Sequence, residues 1–306
     1  MKILVATEKP FAPIAVKQIR EVTEAAGHEL ALLENYKDVA DLLNAVRDAD
    51  AMIVRSDLIT SEVLDAAKKL KIVVRAGAGY DNLDLNACTA HNVVAMNTPG
   101  QNSNAVAELA FALMLYQARG GFSGKSGTEL RNKKLGIHAF GNVGRYVAVI
   151  ARGFGMDVYA YDPYVPADDM KSSGVKVCNS AEELYSACQY VSLHIPANEQ
   201  TKKSIGYRLL KIMPENAVLV NTARKEVINE DELLKIFSER PDFKYLADVE
   251  PDCKPQLEEK YKGRFLFTAK KMGAQTEEAN INAGVAAARQ IVDYFKTGNE
   301  KYRLNK

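Results

Sequence analysis

Residues 133–163, KKLGIHAFGNVGRYVAVIARGFGMDVYAYDP, leave a chain few folds to choose from. An apolar run from Leu135 to Phe140 enters the turn Ala139-Phe140-Gly141-Asn142-Val143-Gly144. A helix-period stretch follows, and Gly153 and Gly155 stop it before a second apolar run that ends at Asp162. Strand, glycine turn, helix and strand make one βαβ unit, and such units bury their apolar faces by assembling a parallel sheet covered with helices. The turn is the dinucleotide fingerprint with alanine in the first glycine position, and Asp162 lies 18 residues past Gly144, close to the spacing at which an acid meets a ribose. Gly141 lets the main chain approach a pyrophosphate, and the freed N–H groups of Asn142, Val143 and Gly144 at the positive end of the helix hold it. Asp162 accepts from the ribose hydroxyls and repels a 2′-phosphate, while Pro163-Tyr164 adds no cation, so the predicted cofactor is NAD rather than NADP. His138, in mid-strand, reads as structural.

The rest of the chain repeats the alternation of short apolar runs with helix-period segments. KILVA (2–6), AMIVRS (51–56), KIVVRAG (71–77) and VVAMN (93–97) read as strands, with helical spacing over 12–26 and 36–47. A second series begins near Lys133: KLGIHAF, MDVYAYD, YVSLHIP, AVLVNTA, KYLADV and RFLFTA. Between the two series AVAELAFALMLYQARGG predicts a helix from Asn102 to Arg119, apolar around most of its surface and stopped by Gly120 and Gly121; such a helix belongs between domains or subunits. TEEANINAGVAAARQIVDYFKTG predicts a last helix with Gly298 as its stop. The expected fold class is α/β, with two doubly wound parallel-sheet domains. A flavodoxin-like substrate domain, 1–98 with 276–306, is interrupted by a Rossmann NAD-binding domain over 99–275.

Composition narrows the partners. A formal net charge of +1 offers nothing to nucleic acid, and no stretch approaches the roughly 20 apolar residues of a membrane span. Cys88, Cys178, Cys188 and Cys253 form no CxxC pair and have no histidine at ligand spacing, so no metal is predicted and thiols in a reducing compartment are expected. MKILVATEKPF is a short strand and not a signal peptide, which makes the expected location cytoplasmic.

AGAGYDNLDL (76–85), NTPGQNSNAVAELAFALML (97–115), SLHIPANEQTKKSI (192–205) and VNTARKEVINEDEL (220–233) together resemble the D-isomer-specific 2-hydroxyacid dehydrogenases, over nearly the whole chain. The resemblance implies an NAD-linked hydride transfer between C4 of the nicotinamide and C2 of a small 2-hydroxy or 2-oxo acid. It puts Arg224 at the catalytic arginine, where a guanidinium clamps the carboxylate bidentately and polarises the oxygen on C2. Thr222 and Ala223 then lie beside the cofactor, Asp248 accepts from the nicotinamide amide, and His194 and Pro196 belong to a turn covering the cofactor. The backbone from Ala76 to Gly79, including Ala78 and Gly79, binds the substrate carboxylate. The family associates through the region of the apolar helix, so a homodimer is expected.

Two arginines at strand ends, Arg55 in IVRSD (with Ser56 beside it) and Arg75 in VVRAGAG, add cationic charge that lactate or glycerate does not need and a phosphorylated acid does. The expected substrate is therefore a phosphorylated 2-hydroxy acid of the 3-phosphoglycerate type, with Lys9 a further candidate contact. The chain ends soon after its last helix, which resembles a short form of the family without appended regulatory domains. Hydroxypyruvate or glyoxylate reduction, D-lactate oxidation, and a non-catalytic NAD-binding regulator are the alternatives.

FTAKKMGAQTEEAN, residues 267–280, departs from the family pattern of Thr-Pro-His, one apolar residue, then Gly. Aligned on Gly273, the histidine position falls on Lys271, and the position of its partner glutamate, five residues past Asp248, falls on Cys253; Glu250 comes too early. A lysine can carry the proton if its pKa falls. A guanidinium at about 4 Å in an effective dielectric near 20 disfavours the ammonium by about 4 kcal/mol, roughly three pK units. Loss of the glutamate fits, because a carboxylate would hold the lysine protonated. Lys271 is thus predicted as general acid and base, and strand alternation is expected to turn Lys270 to the other face.

Overall fold

The structure, a computed structural model, describes residues 1–305. The chain divides into two compact units, Met1–Asn102 with the segment from Gln275 onward, and Ser103–Ala274.

The first unit opens with β1 (Lys2–Thr7), α1 (Pro13–Ala25), β2 (Glu29–Glu34), α2 (Val39–Ala45), β3 (Ala51–Val54), α3 (Ser61–Ala66), β4 (Ile72–Arg75), α4 (Leu85–Ala90) and β5 (Val94–Asn97). Its sheet is parallel with order β2-β1-β3-β4-β5. AMIV and IVV are buried on both faces, which is why they read as unbroken apolar runs and not as alternating strands. Along β1, Ile3 and Val5 face one core, which the C-terminal helix closes, and Leu4 and Ala6 face the other.

The second unit runs α5 (Ser103–Ala118), β6 (Lys134–His138), α6 (Asn142–Gly153), β7 (Asp157–Tyr161), α7 (Ala167–Ser172), β8 (Lys176–Val177), α8 (Ala181–Ala187), β9 (Tyr190–Leu193), α9 (Tyr207–Lys211), β10 (Val218–Asn221), α10 (Glu230–Glu239), β11 (Lys244–Ala247), α11 (Lys254–Lys260) and β12 (Phe265–Phe267). All seven strands are parallel, in the order β12-β11-β10-β9-β6-β7-β8. The chain winds outward from β6 in one direction and from β9 in the other, so the topological switch point lies between these two strands. Open α/β sheets bind ligands at the carboxyl ends of such a pair.

α12 (Glu277–Thr297) returns the chain to the first unit. The Thr276 side chain caps it by accepting from Ala279 N–H, and Gly298 ends it in the left-handed region at φ 73°. A side chain at Gly284 would meet Ile19 at 2.9 Å and Phe11 at 3.0 Å, which lets α12 pack closely on α1.

Several expectations need correction. β3 ends at Val54 and β4 at Arg75, so Arg55 and Ser56 lie in a loop beyond their strand. ELALLE, absent from the strands expected above, is the edge strand β2; 36–47 holds only the short α2 followed by a 3-10 turn at Val46–Asp48. β12 stops at Phe267, because Thr268 turns its hydroxyl to Asp248 and the chain leaves on a loop. Lys270 and Lys271 both lie in that loop, so strand alternation does not separate them.

Candidate active site

The switch point of the second unit carries the glycine turn. Ala139 sits at φ 77°, the left-handed conformation that glycine would adopt without strain, and its N–H donates to Tyr161 O at 2.9 Å. A Cβ on Gly144 would lie 2.4 Å from Ala139 O, so only glycine lets α6 start this close to β6. At Gly141, by contrast, a Cβ would meet nothing within 4 Å. Gly141 is also the N-cap of α6, so the first N–H groups of the helix have no side-chain cap.

Asp162 follows β7 and closes the turn from the other side. Its Oδ2 accepts from Phe140 N–H and its Oδ1 from Tyr164 N–H, both at 2.8 Å. One acceptor position remains on each oxygen.

His138 and His194 sit side by side at the ends of β6 and β9, joined by the 2.9 Å bond from His194 N–H to His138 O. His138 Nδ1 lies 3.2 Å from the buried Tyr185 hydroxyl and His194 Nε2 lies 3.0 Å from Ser192 Oγ. Burial pulls the His138 pKa down to about 4 and that of His194 down to about 3, the latter helped by the neighbouring His138. Both rings are neutral near pH 7. Pro196 begins a turn tied by the 2.6 Å bond from the Thr201 hydroxyl to Pro196 O.

The segment after β10 holds Thr222, Ala223 and Arg224. Thr222 is 7% exposed and its hydroxyl has no partner, an orphan that a bound ligand would satisfy. Asn221 shapes the turn by accepting from Ala223 N–H at 3.0 Å and donating to Arg224 O at 2.9 Å. Arg224 is half-buried, with one Nη1 donating to Ala223 O at 2.9 Å.

Asp248 has a larger part than its sequence position suggested. It is 2% exposed; its Oδ1 accepts from Met272 N–H at 2.7 Å and the Thr268 hydroxyl at 3.0 Å, and its Oδ2 accepts from Gly273 N–H at 2.7 Å. The carboxylate thereby fixes the loop that carries Lys271, and one acceptor position on Oδ2 is left over. Nothing in the sequence near Asp248 announces this tie, because its partners lie 20 to 25 residues away.

Five residues past Asp248, where the family pattern has the partner glutamate, stands Cys253. Glu250 is exposed and bound to Lys254 at 2.5 Å. Cys253 is buried, and burial with the nearby Glu230 raises its thiol to about 12, so it stays neutral.

In the first unit the arginines are held from several sides. Arg55 Nη1 donates to Lys9 O and Pro10 O, each at 3.0 Å, and Arg75 Nε donates to Arg55 O at 3.0 Å. Ser56 is exposed beside them. Gly77 N–H donates to Thr98 Oγ1 at 2.6 Å and Asn97 Nδ2 to Ala78 O at 2.7 Å, which sets the backbone up to Gly79. Gly77 adopts φ 147°, and a Cβ there would overlap the Arg75 guanidinium. Asp57, which the sequence did not single out, is 5% exposed and accepts from Glu8 N–H, the Tyr36 hydroxyl and Arg55 N–H. Among the described residues no cluster of potential metal ligands occurs and no helix is long and apolar enough to cross a membrane.

Residues 106–262 match the family model described as D-isomer specific 2-hydroxyacid dehydrogenase, NAD binding domain. The chain belongs to the D-isomer specific 2-hydroxyacid dehydrogenase family. A crystal structure of cofactor (NAD+) bound 3-phosphoglycerate dehydrogenase in Entamoeba histolytica is 49% identical, covers 100% of this chain and 99% of its own, and has a TM-score of 0.86. The D-3-phosphoglycerate dehydrogenase of Methanocaldococcus jannaschii is 34% identical over 95% of this chain, which spans 57% of that relative's length. The hydroxypyruvate reductase of Thermotoga maritima is 31% identical over 86% of this chain and 90% of its own. The two parallel-sheet units are the fold of this family. The Gly141 opening, the uncapped start of α6, the spare acceptors of Asp162 and the orphaned Thr222 hydroxyl all fit NAD.

Proposed function

We propose that this chain oxidises D-3-phosphoglycerate to 3-phosphohydroxypyruvate with NAD, the opening step of serine biosynthesis. The observation that carries the reading is the tied pair of Arg55, just past β3, and Arg75, the last residue of the neighbouring β4, with the Arg75 guanidinium against Gly77. Two guanidinium groups exceed what an unphosphorylated small acid needs and suit a phosphate. The names of the Entamoeba histolytica and Methanocaldococcus jannaschii relatives support it.

When bound, NAD+ would supply the hydride acceptor for oxidation and NADH the donor for reduction. Arg224 grips the substrate carboxylate and draws charge from the oxygen on C2. Lys271 takes the hydroxyl proton when the alcohol is oxidised and returns it when the keto acid is reduced. Cys253, a buried neutral thiol, stands where the family pattern has a glutamate. Asp162 accepts the ribose hydroxyls, and Asp248 offers its remaining position to the nicotinamide amide.

The chain acts as a homodimer in this reading, supported by apolar side chains left open around α5 and α6: Tyr116, Phe122, Tyr146 and Val149. Four free, buried cysteines are consistent with the cytoplasm. Hydroxypyruvate or glyoxylate reduction is the second reading, favoured by the name of the Thermotoga maritima relative, a hydroxypyruvate reductase.

Rates with phosphohydroxypyruvate and hydroxypyruvate, measured side by side with NADH and then NADPH, decide between them. The proposal expects a clear preference for the phosphorylated acid and for NADH. Arg55→Ala should raise KM for the phosphorylated acid far more than for the other; equal effects on both would remove the phosphate assignment.

A further inference from the structure

Asn280, in the first turn of α12, touches the Arg55 guanidinium although 225 residues separate them. Asn280 Oδ1 accepts from Arg55 Nη2 at 2.6 Å, and Asn280 Nδ2 donates to Thr276 O at 2.8 Å. Both ends of the amide are therefore committed, and turning it over would set an NH2 group against the guanidinium. Thr276 is itself the N-cap of the helix, so the amide is anchored to a fixed helix end.

The other contacts of Arg55 complete a cradle. Nη1 is spent on Lys9 O and Pro10 O, and the guanidinium carbon lies 5.1 Å from the centre of the Phe11 ring. Asp57 holds the backbone from which the side chain leaves, accepting from Arg55 N–H at 3.2 Å and Glu8 N–H at 2.8 Å. Of the five N–H groups of the guanidinium, three have these protein acceptors, and Nε–H with one Nη2–H remain for a ligand. Two donors on a planar frame match two oxygens of a phosphate.

The acceptors that aim the side chain are all uncharged: two backbone carbonyls and one amide. A carboxylate in the place of Asn280 would hold the same direction but neutralise the charge that the ligand needs. We infer that Asn280 is a positioning residue for phosphate selectivity, fixing the Arg55 guanidinium without discharging it. This rests on Arg55 being the phosphate contact in the reading above.

The test compares KM for phosphohydroxypyruvate with KM for hydroxypyruvate in the parent protein, Arg55→Ala, Asn280→Asp, Asn280→Ala and the double variant Arg55→Ala/Asn280→Ala. Asn280→Asp, nearly the same shape, should raise the ratio of the two KM values about 10- to 100-fold with little change in kcat, and Asn280→Ala about 3- to 10-fold. In the Arg55→Ala background Asn280→Ala should add nothing, because the group it acts through is gone. If Arg55→Ala shifts the ratio and neither Asn280 variant does, the positioning role falls while the phosphate assignment stands. Should Arg55→Ala leave the ratio unmoved, the phosphate assignment fails and takes this inference with it. A purely structural role for Asn280 would raise both KM values together, which also overturns the proposal.

Discussion

Replacing Asp248 with asparagine isolates the tie between the buried carboxylate and the loop of Lys271. Asparagine keeps one oxygen, which can stay with the Met272 N–H and the Thr268 hydroxyl. Its NH2 group then faces Gly273 N–H across 2.7 Å, donor against donor. Turning the amide over moves the conflict to Met272 N–H, although the Thr268 hydroxyl can rotate to accept. A charge-assisted bond contributes about 1.5–3 kcal/mol and an unpaired buried N–H costs about 1–3 kcal/mol. Part of the loss relaxes, leaving about 2–4 kcal/mol concentrated on residues 268–273. Amide hydrogen exchange reads this locally: protection of Met272 and Gly273 should fall by about 30- to 1000-fold at 1.4 kcal/mol per factor of ten, while β10 and β11 keep theirs. A loop released in this way also presents Lys271 poorly, so kcat should drop with it. Unchanged protection at Met272 and Gly273 would refute the claim that Asp248 holds the loop.

Two further perturbations test the glycine-turn side of the sheet. His138 and His194 bind a proton in the unfolded chain near pH 6.5 but in the folded protein only near 4 and 3. The unfolded state therefore holds more protons across that interval, and stability should fall as the pH drops from about 6.5 towards 4, by up to about 1.4 kcal/mol per pH unit for each ring. Thermal unfolding against pH checks this: His138→Gln and His194→Gln should each flatten the slope, and a parent protein with a level profile would contradict the assignment. Ala139→Gly relieves a left-handed alanine at φ 77° and should stabilise the protein by about 0.5–1 kcal/mol after the extra freedom of the unfolded glycine is counted. A fall in denaturation midpoint would mean that the alanine is not strained.

Local features of the chain were legible and long-range ones were not. The buried strands AMIV, IVVR and VLVN stand out because both faces are covered and every residue is apolar or nearly so. ELALLE carries no strand signal: its Leu and Ala suit a helix, it begins and ends with Glu, and as an edge strand it buries only Leu30. β8 is two residues long and has no pattern to read. The same division runs through the site. The glycine turn, Asp162 and the Arg224 segment each sit in a short window whose chemistry is visible in the residues themselves. The contacts of Asn280 with Arg55, and of Asp248 with Met272 and Gly273, join windows far apart along the chain and exist only once the sheet and the terminal helix are built. Strand alternation cannot order Lys270 and Lys271, because the strand stops at Phe267 and the loop after it obeys no alternation.

The identity of the proton carrier is tested most directly by kcat for phosphohydroxypyruvate reduction in Lys271→Ala beside Lys270→Ala, each checked for NADH binding. Lys271→Ala should lose about 100- to 10,000-fold in kcat with NADH affinity kept, as expected when a positioned acid is removed, and Lys270→Ala should stay near the parent rate. A Lys271→Ala protein that turns over at the parent rate would contradict the mechanism.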